Sequence, residues 1–449
     1  MNIIFFTGTV ASKVKIWVCQ ETSSAGSLLP PIDLTSIAGY ARKMGHNVKI
    51  AELRKISNPI YTALQMIDDF HANIAVINLT TTSAMDDLKL VSSLAKKENI
   101  KIVAFGTHAL TYPDEFFTSG GDIILVGDPE LSLINMIIGE EKGVWHKGEI
   151  RPEPVYIENL NDLDDSGIDL LNLSDYFAPM FKSNKFFICL ASRGCPYKCN
   201  YCLYPTLFGK KPRSKTPLAL IDELTKMHKK NQIKEVYFID ATFNLNIKWL
   251  EIFCSEMKIR ALPITWSCNV RADNCNITIL DKMRQAGCKR IFIGVEDPDL
   301  FFESGKELTY NLVVKCFQAA KAVGIKTVAL LMLFPRPELS NEEYVKKTML
   351  LLKTLKADAF QCNVAIPFPG TELFEKMLES GNLSTDNWNL FDPHSEYLPF
   401  QIDQDLVGIR NKIYKQYPLL FPIKAIAALL DMSFSSKYQL IKKYFSFFR

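Results

Sequence analysis

No stretch of this chain reaches the roughly 18 consecutive apolar residues that a membrane-spanning helix needs. No basic block or low-complexity run interrupts its 449 residues either. The formal net charge is only +3, too small to argue for a polyanion, so nucleic acid is not expected as a partner. The first residues, Met1-Asn2-Ile3-Ile4-Phe5-Phe6, lack the basic start and small-residue cleavage site of a secretory signal and read as a buried strand. Cysteine is nearly missing from both ends: Cys19 alone precedes Cys189, and none follows Cys362. Apart from one group of three, the eleven cysteines are scattered singly. That is not a secreted disulfide framework, and a reduced, cytoplasmic setting is expected.

The composition is that of a folded enzyme, with 48% hydrophobic and 22% charged residues. Disorder is not indicated, and the length predicts two or three domains, each able to bury its own core. A small-molecule substrate fits this balance better than a polymer does.

The group of three is Cys195-Pro196-Tyr197-Lys198-Cys199-Asn200-Tyr201-Cys202, directly after Ala191-Ser192-Arg193-Gly194. A zinc site, a disulfide pair or structural thiols are the plain alternatives; structural zinc normally takes four ligands, and no second pair follows. Three thiolates on one short loop can instead hold three irons of a cubane cluster and leave the fourth open. This stretch, with Tyr201 before the last cysteine, resembles the signature of the radical S-adenosylmethionine superfamily. The resemblance implies a 4Fe-4S cluster on Cys195, Cys199 and Cys202. Its open iron would bind S-adenosylmethionine and cleave it to a 5′-deoxyadenosyl radical. An electron donor such as a flavodoxin or ferredoxin is then an expected partner.

Short apolar runs at 2–7, 47–53, 73–79, 100–105 and 122–126 alternate with helix-length segments. They predict an α/β fold with a doubly wound parallel sheet. One helix is expected to start at Asp33 as N-cap and stop at Gly45. In such sheets ligands bind at the carboxyl ends of strands. The loops there are Thr7-Gly8-Thr9, Thr80-Thr81-Thr82-Ser83, Gly106-Thr107-His108 and Gly127-Asp128-Pro129-Glu130. Together with Pro30-Pro31-Ile32-Asp33-Leu34 and Ala41-Arg42-Lys43-Met44-Gly45-His46-Asn47-Val48, they look like the Rossmann-like cobalamin-binding domain that precedes the radical domain in one subgroup. Thr80, Thr82, Gly106 and Gly127 are the implied cobalamin contacts. The Asp-x-His-x-x-Gly that supplies a histidine to cobalt elsewhere is missing, and His108 is not assigned to the metal. Pro129 stands where that subgroup usually has glycine, so the domain could have kept the sandwich and lost the cofactor.

Residues 139–180, rich in glycine and proline, read as an ordered connector. Beyond them, strand candidates at 186–192, 234–240, 263–270, 289–294, 325–333 and 358–366, each of the first five followed by a helical pattern, predict six βα-type units. The family resemblance makes this a partial (β/α)6 barrel with the cysteine loop after strand one, at the end where barrel chemistry collects. The expected layout is 1–138 cobalamin-binding-like, 139–180 connector, 181–370 barrel and 371–449 helical extension.

Further site residues follow from strand ends. Asp240, in Phe238-Ile239-Asp240-Ala241-Thr242-Phe243, would lie near the methionine ammonium, or simply cap a helix. Arg271 could pair with the substrate's carboxylate, or form a structural salt bridge to Asp273 or Glu296. Glu296 matches the family's glutamate near the ribose or methionine part, although Asp297-Pro298 replaces the usual Ser-Gly. The Leu333-Phe334-Pro335-Arg336-Pro337-Glu338 turn lacks the glycines of relatives. Pro367-Phe368-Pro369-Gly370-Thr371-Glu372-Leu373 matches the subgroup and is expected to close the barrel top.

Without the extra cysteine sets of methylthio-transferring or auxiliary-cluster branches, one cluster is predicted. The other cysteines read as core thiols, though Cys268 and Cys362 could face the active site. The apolar, basic C-terminus, with Lys424-Ala425-Ile426-Ala427-Ala428-Leu429-Leu430 and Lys442 to Arg449, reads as an amphipathic helix that packs on the protein or touches a membrane surface. The resemblance implies cobalamin-dependent methylation of an unactivated carbon in a natural-product, lipid or tetrapyrrole-like substrate. The alternatives are oxygen-independent ring formation, as in anaerobic magnesium-porphyrin cyclases, and a non-catalytic iron–sulfur electron-transfer or scaffold protein.

Overall fold

The computed structural model describes residues 1–10, 13–16, 19–22, 27–164, 166–178, 180–182, 185–297, 299 and 304–420. The basic, apolar C-terminal segment expected as an amphipathic helix lies outside the described residues. Among the described residues, no helix is long and apolar enough to cross a membrane. The chain divides into two compact units.

The first unit is built on β1 (Asn2–Phe6), the hairpin β2 (Lys13–Ile16) and β3 (Cys19–Thr22), α1 (Ile32–Lys43), β4 (Asn47–Ala51), α2 (Pro59–Phe70) and β5 (Ile74–Asn78). It continues through α3 (Ala84–Leu94), β6 (Lys101–Phe105), α4 (Thr107–Thr111), α5 (Pro113–Thr118), β7 (Ile123–Leu125), α6 (Pro129–Ile138) and β8 (Val144–His146). The main sheet runs β4-β1-β5-β6-β7-β8. Its first five strands are parallel, and the order reverses beside β1 as in doubly wound folds. Ile3 to Phe6 and Ala75 to Ile77 are fully buried, which explains why these strands are continuous apolar runs without alternation.

Two expectations change here. The stretch read as connector supplies a sixth strand, β8, antiparallel to β7, and Ile157, Leu160 and Leu163 pack as a small core with Tyr40 and Leu131. Asp33 does not cap α1, whose N-cap is Pro31. Its carboxylate instead accepts a hydrogen bond from the buried Asn78 amide at the end of β5.

The second unit carries β9 (Phe186–Cys189) and β10 (Ser192–Arg193). After α7 (Tyr204–Phe208), which groups with the first unit, come β11 (Arg213–Ser214), α8 (Pro217–Asn231), β12 (Glu235–Phe238), α9 (Ile247–Arg260), β13 (Thr265–Val270) and α10 (Ile277–Gln285). Then follow β14 (Cys288–Gly294), α11 (Tyr310–Ala322), β15 (Lys326–Leu333), α12 (Asn341–Leu355) and β16 (Ala359–Val364). The six long strands pair in chain order, all parallel, as a barrel wall of right-handed βα units requires. The helices of this wall start at side-chain caps: Thr216, Asn246, Asn276, Thr309 and Ser340, the last in a full capping box with Glu343.

Residues Pro367–Phe400, with α13 (Glu372–Glu379), return to the first unit, while α14 (Leu406–Leu420) belongs to the second. The turn expected to close the barrel top therefore groups with the first unit. There the Gly370 carbonyl accepts a hydrogen bond from the Thr206 hydroxyl at 3.4 Å.

Candidate functional site

The cysteine loop leaves the end of β9 through the β10–β11 hairpin. Gly194 turns it at φ +86, a left-handed geometry that glycine adopts without strain. None of the described cysteines is in a disulfide; Cys195 is buried, and Cys199 and Cys202 are half-buried.

Within the second unit the loop is gripped from several strand ends. The Arg271 guanidinium lies 3.5 Å from the centre of the Tyr197 ring, close enough for a strong cation–π contact. The same guanidinium donates to the Lys306 carbonyl at 2.8 Å and to Asp273 at 3.0 Å. Asn244 holds both backbone groups of Arg271 at 2.9 Å, donating to its carbonyl and accepting from its N–H. On the other side, the Asn200 N–H donates to the Ser304 carbonyl at 3.0 Å. Tyr201 meets Phe334 edge-on with ring centres 5.6 Å apart.

Glu296 stands just past β14 with φ +47, a strained conformation for glutamate. Its carboxylate accepts from the Lys306 ammonium, which also donates to the Gly294 carbonyl at 2.9 Å. Burial pushes the Cys195 and Cys199 thiols up. Arg271 beside both, and Lys306 beside Cys199, oppose that shift by favouring the thiolate. Among the described residues no three Cys, His, Asp or Glu side chains close on one point as a single ion would require. A cluster in which each of three irons takes one thiolate makes no such demand. The donor set of three thiols, on a cation-flanked loop, fits that group.

Asp240 is fully buried, and accepts from the Ala191 N–H at 3.1 Å and the Ser192 hydroxyl at 2.5 Å. It thus ties the end of β12 to the chain leaving β9, and burial raises its acid to about 6. Of the two ion pairs weighed for Arg271, the structure forms the one to Asp273 and gives Glu296 to Lys306. Cys268 and Cys362 are wholly buried, with burial raising both thiols. A cavity of about 190 Å³ opens beside Glu296 and Asp297. Its charged wall is already neutralised, because Arg336 pairs with Asp297 at 2.9 Å and Tyr344 donates to Asp297 at 2.9 Å.

In the first unit, Thr80 and Thr82 are buried at the end of β5. The Thr80 hydroxyl lies 3.1 Å from that of Ser83. The Thr82 hydroxyl and His108 Nδ1 are buried polar atoms with no hydrogen-bond partner among the described residues. Residues Trp388–Leu390 cover this end. The Trp388 indole donates to both Glu115 oxygens at 3.0 and 3.1 Å and packs edge-on to His108 at 5.1 Å. Gly106 and Gly127 have neighbours of their own: a Cβ would stand 2.3 Å from Asn78 Oδ1 at the first and 2.0 Å from the Val155 carbonyl oxygen at the second.

The cysteines, Arg271 and Glu296 were visible as strand-end motifs. Ser304, Gly305, Lys306, Asn244 and Trp388 were not. The first four act largely through backbone contact or by pairing with residues distant in sequence, and Trp388 looks like any core aromatic.

Residues 190–352 match the radical SAM superfamily model. An uncharacterised methyltransferase of Pyrococcus horikoshii is 29% identical over 84% of this chain and 86% of its own length. The hopanoid C-3 methylase of Methylococcus capsulatus is 21% identical over 87% of this chain and 77% of its own length. Among solved structures, the radical S-adenosylmethionine methyltransferase TsrM from Kitasatospora setae, with cobalamin and a [4Fe-4S] cluster bound, superposes with a TM-score of 0.66. It is 15% identical and covers 84% of this chain and 75% of its own. The family match takes in the cysteine loop and the strands β12 to β15, and the chain is an enzyme that carries a radical SAM superfamily domain over residues 190–352.

Proposed function

We propose that this enzyme methylates an unactivated carbon of a small molecule with the help of a corrinoid. The observation that carries the radical part is the Cys195, Cys199 and Cys202 loop at the end of the first barrel strand, flanked by Arg271 and Lys306. Bound there, a 4Fe-4S cluster supplies the electron that cleaves S-adenosylmethionine, and a corrinoid supplies the methyl group. The chain's own residues hold the loop, place cations beside its thiolates and keep Asp240 and Glu296 at neighbouring strand ends.

Support for a corrinoid comes from the first unit's β5 and β6 ends. The buried Thr82 hydroxyl and His108 Nδ1, without a hydrogen-bond partner among the described residues, can hydrogen-bond a ligand rich in amide groups, as buried polar atoms require. Two relatives named for methyl transfer agree with this reading. A one-electron protein donor of the flavodoxin or ferredoxin kind completes it. The class of substrate, whether natural product, lipid or tetrapyrrole, belongs to loops above the barrel.

The test is anaerobic incubation of the reconstituted protein with S-adenosylmethionine, hydroxocobalamin and a strong reductant, followed by chromatography of the nucleosides. 5′-Deoxyadenosine together with S-adenosylhomocysteine is expected. 5′-Deoxyadenosine alone would replace methylation with a ring-closing or rearranging reaction, and neither product from a cluster-loaded protein would overturn the enzymatic reading.

A further inference from the structure

We propose that Arg271 and Gly305 are positioning residues that set the shape of the cysteine loop from both sides, and that Arg271 is therefore not a ligand for substrate carboxylate. The proposal rests on the reading that Cys195, Cys199 and Cys202 hold the cluster.

The segment between the first two cysteines is held at two points. At Tyr197 the Arg271 guanidinium covers the ring at 3.5 Å. At Lys198 and Cys199 the contact is backbone against backbone. Gly305 has φ +71, and a Cβ there would stand 2.3 Å from the Lys198 carbonyl oxygen, 3.1 Å from its carbon and 3.6 Å from the Cys199 Cα. No side chain other than hydrogen fits between them.

The two grips are one assembly. The Arg271 guanidinium that covers Tyr197 also binds the carbonyl of Lys306, the residue after Gly305. The Ser304 carbonyl, on the residue before it, accepts from the Asn200 N–H. Arg271 itself is nearly buried, and its own backbone is fixed by Asn244 and by the Cys275 thiol, which donates to its carbonyl at 3.3 Å. Its Nε and Nη2 are bound to Asp273 and the Lys306 carbonyl while its face lies over Tyr197. A substrate carboxylate taken bidentately on the Nε–Nη2 edge would have to displace Asp273 and the Lys306 carbonyl from a planar fork that lysine cannot copy. The fold thus invests a buried arginine and a glycine-only contact in the few residues between Cys195 and Cys202.

Three variants strike this assembly independently: Arg271→Lys, Gly305→Ala and Tyr197→Leu. The last lies on a half-exposed loop and leaves the barrel core untouched. Each is reconstituted with iron and sulfide as the full chain, and three quantities are read: iron per chain, the g values of the reduced cluster by electron paramagnetic resonance, and the rate at which a chelator removes iron. Circular dichroism checks that the fold is kept.

Changed g values and faster iron loss to the chelator are expected in all three variants, roughly tenfold faster in Tyr197→Leu, the order expected for losing a desolvated cation–π contact. Wild-type spectra and chelator rates in folded Tyr197→Leu and Gly305→Ala protein would overturn the proposal. A variant that unfolds is read through Tyr197→Leu alone, whose spectrum decides the matter. If the wild-type chain takes up no cluster while Cys199→Ala behaves identically, the functional reading itself fails and the proposal falls with it. If the wild type is loaded and only the variants are unchanged, the proposal fails alone.

Discussion

Replacing Asp240 with asparagine should make the protein more stable at neutral pH than at acid pH relative to wild type. Asp240 is fully buried, with the Ser192 hydroxyl and the backbone N–H groups of Ala191, Ser192 and Asp240 itself turned toward its carboxylate. Burial outweighs those bonds and raises its acid to about 6 from an ordinary 3.8. A folded-state value above the unfolded one means that the native chain holds its proton where the unfolded chain has already released it. The stability from this group is therefore complete below about pH 3.8 and is lost as pH rises through about 6. At about 1.36 kcal/mol per pH unit, that gap amounts to about 3 kcal/mol. Asparagine keeps the neutral shape and can still accept from Ala191 while its amide turns to the Ser192 oxygen. The urea-unfolding midpoints of Asp240→Asn and wild type, compared from about pH 4 to pH 7, should diverge by about 2 kcal/mol in favour of the variant. Taking the difference cancels every other titrating group. A flat difference, or one that grows toward acid, would refute the reasoning and show that the ionised carboxylate is stabilised where it lies.

Gly127→Ala should lower the stability of the cofactor-free protein by about 2 kcal/mol or more, since its Cβ would meet the Val155 backbone; a loss seen only with hydroxocobalamin present would mark a pure ligand contact instead. Trp388→Ala should cost about 4 kcal/mol through the cavity and the lost Glu115 bond. It should also speed hydroxocobalamin uptake, followed by absorbance, because Trp388–Leu390 cover the ends of β5 and β6; unchanged uptake would show that this cover does not control entry. In the first unit, burial pushes the Glu52 acid up but the Arg54 guanidinium more than offsets it, so the acid is held low. Arg54→Met should then cost about 3–5 kcal/mol at neutral pH by leaving Glu52 without its cation. The deficit should shrink as acid protonates Glu52, because the pair's stability is present above the ordinary carboxylate range and lost below it; thermal melts at two pH values check the sign.

The six barrel strands were legible within a few residues because each is a short run rich in β-branched and aromatic residues between helical patterns, with buried and half-buried positions alternating as in β12. The cysteine loop was legible because cluster chemistry needs a fixed spacing. β8 was not, since Val144-Trp145-His146 is too short to show alternation and is recruited by pairing with β7. Asp33 misled for a different reason: an acid before an apolar run has the form of a cap, and only the fold brings Asn78 to it. Gly127 has the look of a ligand-binding glycine, yet its near neighbour is the carbonyl of Val155, a residue no pattern links to it. The grip of Ser304 and Gly305 on the loop is made by backbone atoms, which carry no residue signature at all.

The return of Pro367–Phe400 to the first unit has a consequence for how the protein is made. The amino-terminal sheet leaves the ribosome first, but Trp388, which covers His108 and Glu115, is synthesised only after the last barrel strand. Until then that surface is without its cover, so a sheet made before the barrel reaches its final form only after it, and a nascent chain cannot complete these two units one after the other in the usual order. A gene fragment ending before residue 367 would encode the sheet without its closing tryptophan. Exchanging the first unit with that of a related enzyme therefore requires two separated segments to travel together.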